Sequence, residues 1–180
     1  MSLLTDIKHK IGNWMLKRSN LEEQRVHQVF NLSGARRIAV LFDATEPKNI
    51  QILKSFVNSI AAGKQVSALG YVNKKDKSFE HMSILHFDFF SNEELNWYGK
   101  PQGMVIDNFL KEDFDILIDL TLTKFYPLTY LAVASPSKFK VGRTRSDVDV
   151  FDLTIDPTKD QDLAVLIEQI THYLNRIKPL

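Results

Sequence analysis

The 180 residues contain no cysteine. That excludes a disulfide framework, a thiolate nucleophile and a cysteine-based zinc site. Glycine is scarce at seven residues, and no Gly-x-x-x-x-Gly-Lys-Ser/Thr loop is present, so ordinary P-loop NTPase chemistry is excluded. No Gly-x-Ser-x-Gly elbow sets up a serine nucleophile. Neither charge sign is in excess, with 23 Lys and Arg against 22 Asp and Glu, so no global polyelectrolyte partner is implied. No apolar run approaches the roughly 20 residues of a membrane span, and the start of the chain has no signal-peptide character. A soluble, cytoplasmic protein is the expectation.

What is present suits one α/β domain. Hydrophobic residues make up 44% of the chain and aromatics number 19, enough for one sizeable core in a chain of ordinary domain length. Residues 1–34 read as an N-terminal helical extension. Leu4, Ile7, Ile11, Trp14 and Met15 recur at helical spacing, and a second short helical pattern follows in Leu21, Val26 and Phe30. This arm is basic through Lys8, Lys10, Lys17, Arg18, Arg36 and Arg37.

From residue 35 to 180 the pattern alternates between strand and helix. Strands are predicted at 38–42, 65–72, 83–90, 114–120, 138–141 and 150–155. Helices are predicted after Pro47, around 104–111, over 127–134, and from about 159 to 177. Continuous apolar strands such as Ile38–Phe42 and Phe114–Leu120 suit parallel strands covered on both faces. The expected fold is a three-layer, Rossmann-like α/β domain with a mostly parallel sheet of five to six strands. Strands 38–42 and 114–120 are expected side by side at its centre. Leu163, Ile167, Ile170 and Leu174 should form the buried face of the last helix.

In such sheets ligands sit at the carboxyl ends of the strands. Asp43, Asp119 and Arg143 each close a predicted strand, with Thr45 and Thr121 two residues after the aspartates. The two carboxylates could hold a metal or share acid–base work; equally, each could cap the segment that follows it. Arg143, with Arg145 two residues on, suits a phosphate or carboxylate, or else ties the Asp147–Asp149 loop to the sheet. Trp97, Tyr98 and Lys100 form an aromatic–basic loop suited to stacking on a base or sugar, or to packing on the domain. The first strand-to-helix turn, Phe42-Asp-Ala-Thr-Glu-Pro-Lys-Asn, has no glycine and carries negative charge, which argues against a dinucleotide there. The five histidines show no metal-ligand spacing. No cofactor, metal or catalytic residue is therefore assigned.

Two resemblances accompany these residues. Leu41–Thr45, Ala68–Val72, Phe87–Phe90 with Asn96–Pro101, Phe114–Asp119 and Phe139–Arg143 resemble an uncharacterised family of small Bacteroidota α/β proteins, over almost the whole chain. That resemblance implies a bacterial cytoplasmic protein and no particular activity. Residues 114–143 are also similar to a strand–helix–strand in the N-terminal half of heptosyltransferase-like glycosyltransferases. The nucleotide-sugar site of those enzymes lies mainly in a second domain, for which 180 residues leave no room.

The leading expectation is a non-catalytic binding or adaptor domain whose partner is a protein or a small anionic ligand. One alternative is a metal-assisted sugar- or phosphate-transfer enzyme related to glycosyltransferase half-domains. Another is an RNA- or ribosome-associated factor that uses the basic arm to meet phosphates.

Overall fold

Ile38-Ala-Val-Leu-Phe42 has no polar side chain to turn toward water, so both faces of that strand must be covered. In the computed structural model they are. The structure describes residues 25–45, 47–74, 85–145, 149–156 and 162–178. The chain order is β1 (Arg37–Asp43), α1 (Ile50–Ile60), β2 (Gln65–Val72), β3 (Phe87–Ser91), α2 (Met104–Lys111) and β4 (Ile116–Asp119). It continues with α3 (Tyr126–Ala134), β5 (Phe139–Arg143), β6 (Leu153–Ile155) and α4 (Leu163–Arg176). Single 3₁₀ turns at Pro47–Asn49 and Asn92–Glu94 lead out of β1 and β3.

The six strands among the described residues are all parallel, in the order β3-β2-β1-β4-β5-β6. Strand β1 lies between β2 and β4, as its apolar run predicts. Alternate residues serve opposite layers. Ile38, Val40 and Phe42 join one core with Leu53 and Val57 of α1 and with Leu166 and Ile170 of α4. Ala39 and Leu41 join the other core with Ile106 and Phe109 of α2 and with Leu128 and Leu131 of α3. The result is a three-layer α/β sandwich. Its winding reverses at β1 and β4: the chain leaves β1 for the α1 layer and β4 for the α3 layer.

Several expected boundaries move. The last helix begins at Leu163, where the Asp162 side chain accepts the Ala164 amide at 2.7 Å, the work of an N-cap. Its buried stripe is Leu163, Leu166, Ile170 and Leu174, while Ile167 is only partly buried. Strand β3 starts at Phe87 rather than Ser83, because His86 adopts a positive φ of 73° that extended strands do not use. Strand β6 starts at Leu153 rather than Val150.

The second N-terminal helical pattern is not a helix over its described part, residues 25–30. That segment is tied to the amino edge of the sheet instead. The Gln28 amide donates to the Lys138 carbonyl at 3.1 Å, and the Leu32 amide to the Leu174 carbonyl at 3.3 Å. Asn31 Nδ2 donates to the Ile177 carbonyl at 3.2 Å. Committing these groups to distant carbonyls rules out an i to i−4 ladder. The first pattern, Leu4 to Met15, lies outside the described residues.

Candidate functional site

Asp43, Asp119 and Arg143 are the last residues of β1, β4 and β5. Because the strands are parallel, all three stand at the carboxyl edge. This is also where the β1 and β4 loops part toward opposite faces, opening the crevice in which such sheets hold ligands. The register sorts the side chains further. Leu41 pairs with Asp119 and Asp43 with Tyr71, so both aspartates share the face of Leu41 and Tyr71, the α2/α3 layer. Arg143 follows Phe139 and Val141 in alternation, and both belong to the α1/α4 core. The three residues share an edge but not a face.

Asp119 is wholly buried. Its Oδ1 accepts the Thr121 amide at 2.9 Å and the Thr121 hydroxyl at 2.6 Å. Its Oδ2 lies 3.0 Å from a guanidinium nitrogen of Arg145. Arg145 also donates to Thr121 Oγ1, and to Thr129 Oγ1 of α3 at 3.0 Å. Its guanidinium lies over Phe151, 5.9 Å from the ring centre. Phe151 in turn rests on Gly142, where an added Cβ would come within 2.6 Å of the ring; only glycine admits it. A buried carboxylate needs such a counter-charge and such donors to remain ionised. Asp119, Thr121 and Arg145 therefore form an internal network, in which the buried Oδ2 has the ion pair to Arg145 but no hydrogen bond of its own.

Asp43 is partly exposed and its Oδ1 accepts the Thr45 amide at 2.9 Å. Thr45 Oγ1 accepts the Asn73 amide at 3.0 Å. Both aspartates thus close the turn after their strands with the same two-residue bond. Beside Asp43, the Tyr71 hydroxyl donates to Asn92 Oδ1, with Asn73 Oδ1 at 3.3 Å. Burial, and then the charge of Asp43, push the Tyr71 phenol up to about 12, so it stays protonated as a donor.

Arg143 is the contrasting cation. One guanidinium nitrogen donates to the Leu122 carbonyl in the β4–α3 loop at 2.9 Å. Among the described residues no carboxylate stands within ion-pair distance of it. Of the acidic loop expected to hold it, Asp149 is described and makes no bond to Arg143, while Asp147 and Val148 lie outside the described residues.

The aromatic–basic loop is a built turn. Asn96 Oδ1 accepts the amides of Tyr98 at 3.1 Å and Lys100 at 2.9 Å, and Leu95 bridges to Pro101. Gly99, at φ 94°, approaches the Tyr126 ring where a Cβ would sit 3.3 Å away. Lys100 lies 5.2 Å from the centre of the Tyr130 ring. A hydrogen bond with Tyr130 is the chief cause that raises its pKa. Tyr98 packs edge-on against Trp97, which remains 65% exposed. Lys100 and Tyr98 are therefore packed, and Trp97 is displayed.

Of the basic arm, Arg36 and Arg37 are exposed at the amino edge, at the start of β1, where their amides donate to Asp115 Oδ2 at 2.8 and 3.1 Å. Lys8, Lys10, Lys17 and Arg18 lie outside the described residues. Among the described residues no three His, Asp or Glu side chains cluster as metal ligands, and no helix is long and apolar enough to cross a membrane.

Two features here leave little mark in the sequence: Arg145 reads only as a neighbour of Arg143, and no pattern singles out Tyr71, Asn73 or Asn92. The usable signal for Arg145 was the strand run itself: an aspartate ending a fully buried strand requires a nearby cation. A search of curated proteins finds no match. A family model described as "Family of unknown function (DUF6913)" matches residues 8–177, nearly the whole chain, and the chain belongs to that family.

Proposed function

We propose that this chain is a bacterial, cytoplasmic, non-catalytic binding domain that holds a small anionic ligand at the carboxyl edge of its sheet. The observation that carries the reading is the difference between two neighbouring arginines. Arg145 is neutralised by Asp119. Among the described residues Arg143 bonds the neutral Leu122 carbonyl and no carboxylate, and it is half-buried beside the point where the winding reverses. A guanidinium carries five donors in a planar fork, and Arg143 keeps most of them for a phosphate or carboxylate. Asp43 and Thr45 stand at the same edge but on the other face of the sheet, so the ligand reading rests on Arg143 and not on them.

Metal-assisted sugar or phosphate transfer would require Asp43 and Asp119 to share a cation. Asp119 is already occupied by Arg145, which favours binding over catalysis. An RNA-associated role would rest on the basic arm, whose described members Arg36 and Arg37 stand at the opposite, amino edge. The turn that displays Trp97 favours a second reading as an adaptor, because exposed tryptophan on a rigid turn has the character of an interface anchor.

The test is a thermal-shift panel on the full chain with inorganic phosphate, sugar phosphates, nucleotides and dicarboxylates. One class of anion should raise the melting temperature. Charge-assisted hydrogen bonds are worth about 1.5–3 kcal/mol, so Arg143→Ala should weaken that anion roughly ten- to a hundredfold. Absence of any anion response overturns the reading. So does an Arg143→Ala variant that melts lower yet binds with unchanged affinity, since the arginine would then be structural.

A further inference from the structure

Among the described residues strand β6 is an edge of the sheet: it pairs with β5 on one side and has no strand on the other. Its Ile155 turns toward β5, where its carbonyl accepts the Thr144 amide at 2.9 Å. Residues of a parallel strand alternate in the side to which they direct their amide and carbonyl. Thr154 therefore presents both groups to the open side. Helix α4 runs beside that edge, and between them lies a groove of about 580 Å³ walled by Thr154, Ile155 and Asp156 and by Glu168, His172 and Tyr173 of α4.

The groove has a definite chemistry. Asp156 and Glu168 are exposed and make no salt bridge among the described residues, and neither lysine nor arginine lines the groove. Tyr173 is 50% exposed and stands edge-on to His172, an apolar surface with a polar tip. An open strand edge flanked by a helix accepts an extended segment as an added strand. Backbone bonds then hold the segment, and the helix side chains select alternate residues.

We infer that the β6–α4 groove is a docking site for an extended, basic peptide segment of a partner protein. The peptide adds to β6 through Thr154. Its lysines or arginines meet Asp156 and Glu168, and an apolar side chain lies on Tyr173. The groove adjoins the Arg143 edge, since Ile155 pairs in register with Arg143, but the proposal rests on Thr154, Asp156 and Glu168 rather than on the guanidinium, so the two readings fail in different variants.

The test is a selection from phage-displayed random dodecapeptides on the full-length protein, followed by fluorescence anisotropy with the selected peptides. The pool should be enriched in Lys and Arg alternating with β-branched or aromatic residues. Glu168→Lys should weaken the selected peptides tenfold or more. Thr154→Pro removes the outward amide and leaves the β5 ladder intact, since proline is tolerated at an edge strand whose amide faces outward. It should abolish binding while circular dichroism is retained. If Thr154→Pro fails to fold, Glu168→Lys alone decides the matter from the surface of a helix. A pool without basic enrichment overturns the proposal, as does peptide affinity unchanged in Glu168→Lys. Sedimentation that shows a wild-type dimer dispersed by Glu168→Lys also overturns it, because the occupant would then be a second copy of this chain.

Discussion

Arg25 and Asp152 stand 127 residues apart in sequence and meet as a fork. One guanidinium nitrogen reaches Oδ2 at 2.8 Å and the other reaches Oδ1 at 2.9 Å. The Arg25 side chain is nearly buried, and it also donates to the carbonyls of Ser137 and Lys138 at 3.1 and 3.0 Å. Asp152 further accepts the Lys140 amide at 2.7 Å and faces His27 at 2.9 Å. A segment without regular secondary structure is thereby fixed to the loop ends that precede β5 and β6.

Removing one partner leaves the other charge poorly compensated, which costs about 3–5 kcal/mol when such a pair is buried. Asp152 keeps some contact with water, so Arg25→Met should fall near 3 kcal/mol, the lower end of that range. Urea titration at pH 7 measures it; a loss under half a kcal/mol would show that the fork contributes nothing. The pH dependence has a definite sign. Burial acts to raise the Asp152 pKa, but the bonds from Arg25, the Lys140 amide and His27 outweigh it and hold the pKa below its ordinary 3.8. A depressed folded-state pKa gives stability that is complete above the unfolded value and is lost as pH falls through the folded one. Wild type should therefore lose stability as pH drops below about 4. Asp152→Asn should be weaker at pH 7 and show a shallower decline in that acid window.

Helix α4 offers a test of packing between adjacent residues. Leu166 is fully buried and Ile167 only partly so. Leu166→Ala should cost roughly 2–5 kcal/mol, the range for an emptied core position. Ile167→Ala should cost clearly less in the same denaturant titration. Equal losses would mean that the helix is rotated about its axis relative to this structure.

The carboxyl edge separates structural charge from available charge. Asp119→Ala removes the carboxylate that pairs with Arg145 and should destabilise by about 3 kcal/mol or more. Arg143→Ala breaks one bond to a backbone carbonyl and should cost about 1 kcal/mol. Thermal melts of both variants without ligand check this; the opposite ranking would make Arg143 the anchor and Asp119 the spare group.

Much of the fold was legible because burial on both faces leaves a plain mark in sequence. The uninterrupted apolar runs of β1 and β4 announced central parallel strands, and the spacing of Leu163, Ile170 and Leu174 announced the last helix. Boundaries set by single backbone angles or by distant partners were not legible. Nothing in the run Ser83–Phe90 shows that His86 turns to positive φ, and nothing near Val26 shows that residues 25–32 are held by β5 and α4. The candidate site was half legible. Strand ends located Asp43, Asp119 and Arg143 at one edge. Which arginine neutralises Asp119 depends on how the β5–β6 loop folds back over Gly142 and Phe151, a tertiary choice that local pattern does not encode.

The strand order also sets a timetable for synthesis. As the chain leaves the ribosome, β1 and β2 can pair once Val72 has emerged, with α1 covering one face. The other edge of β1 then stays open until Ile116–Asp119 arrives, and the Arg25–Asp152 fork cannot form until residue 152 follows. Between the emergence of β1 and that of β4 the nascent chain therefore exposes the unpaired edge of an apolar strand, the kind of surface that invites pairing with other chains. The interval of greatest hazard for this protein falls before the second half of its sheet has been made.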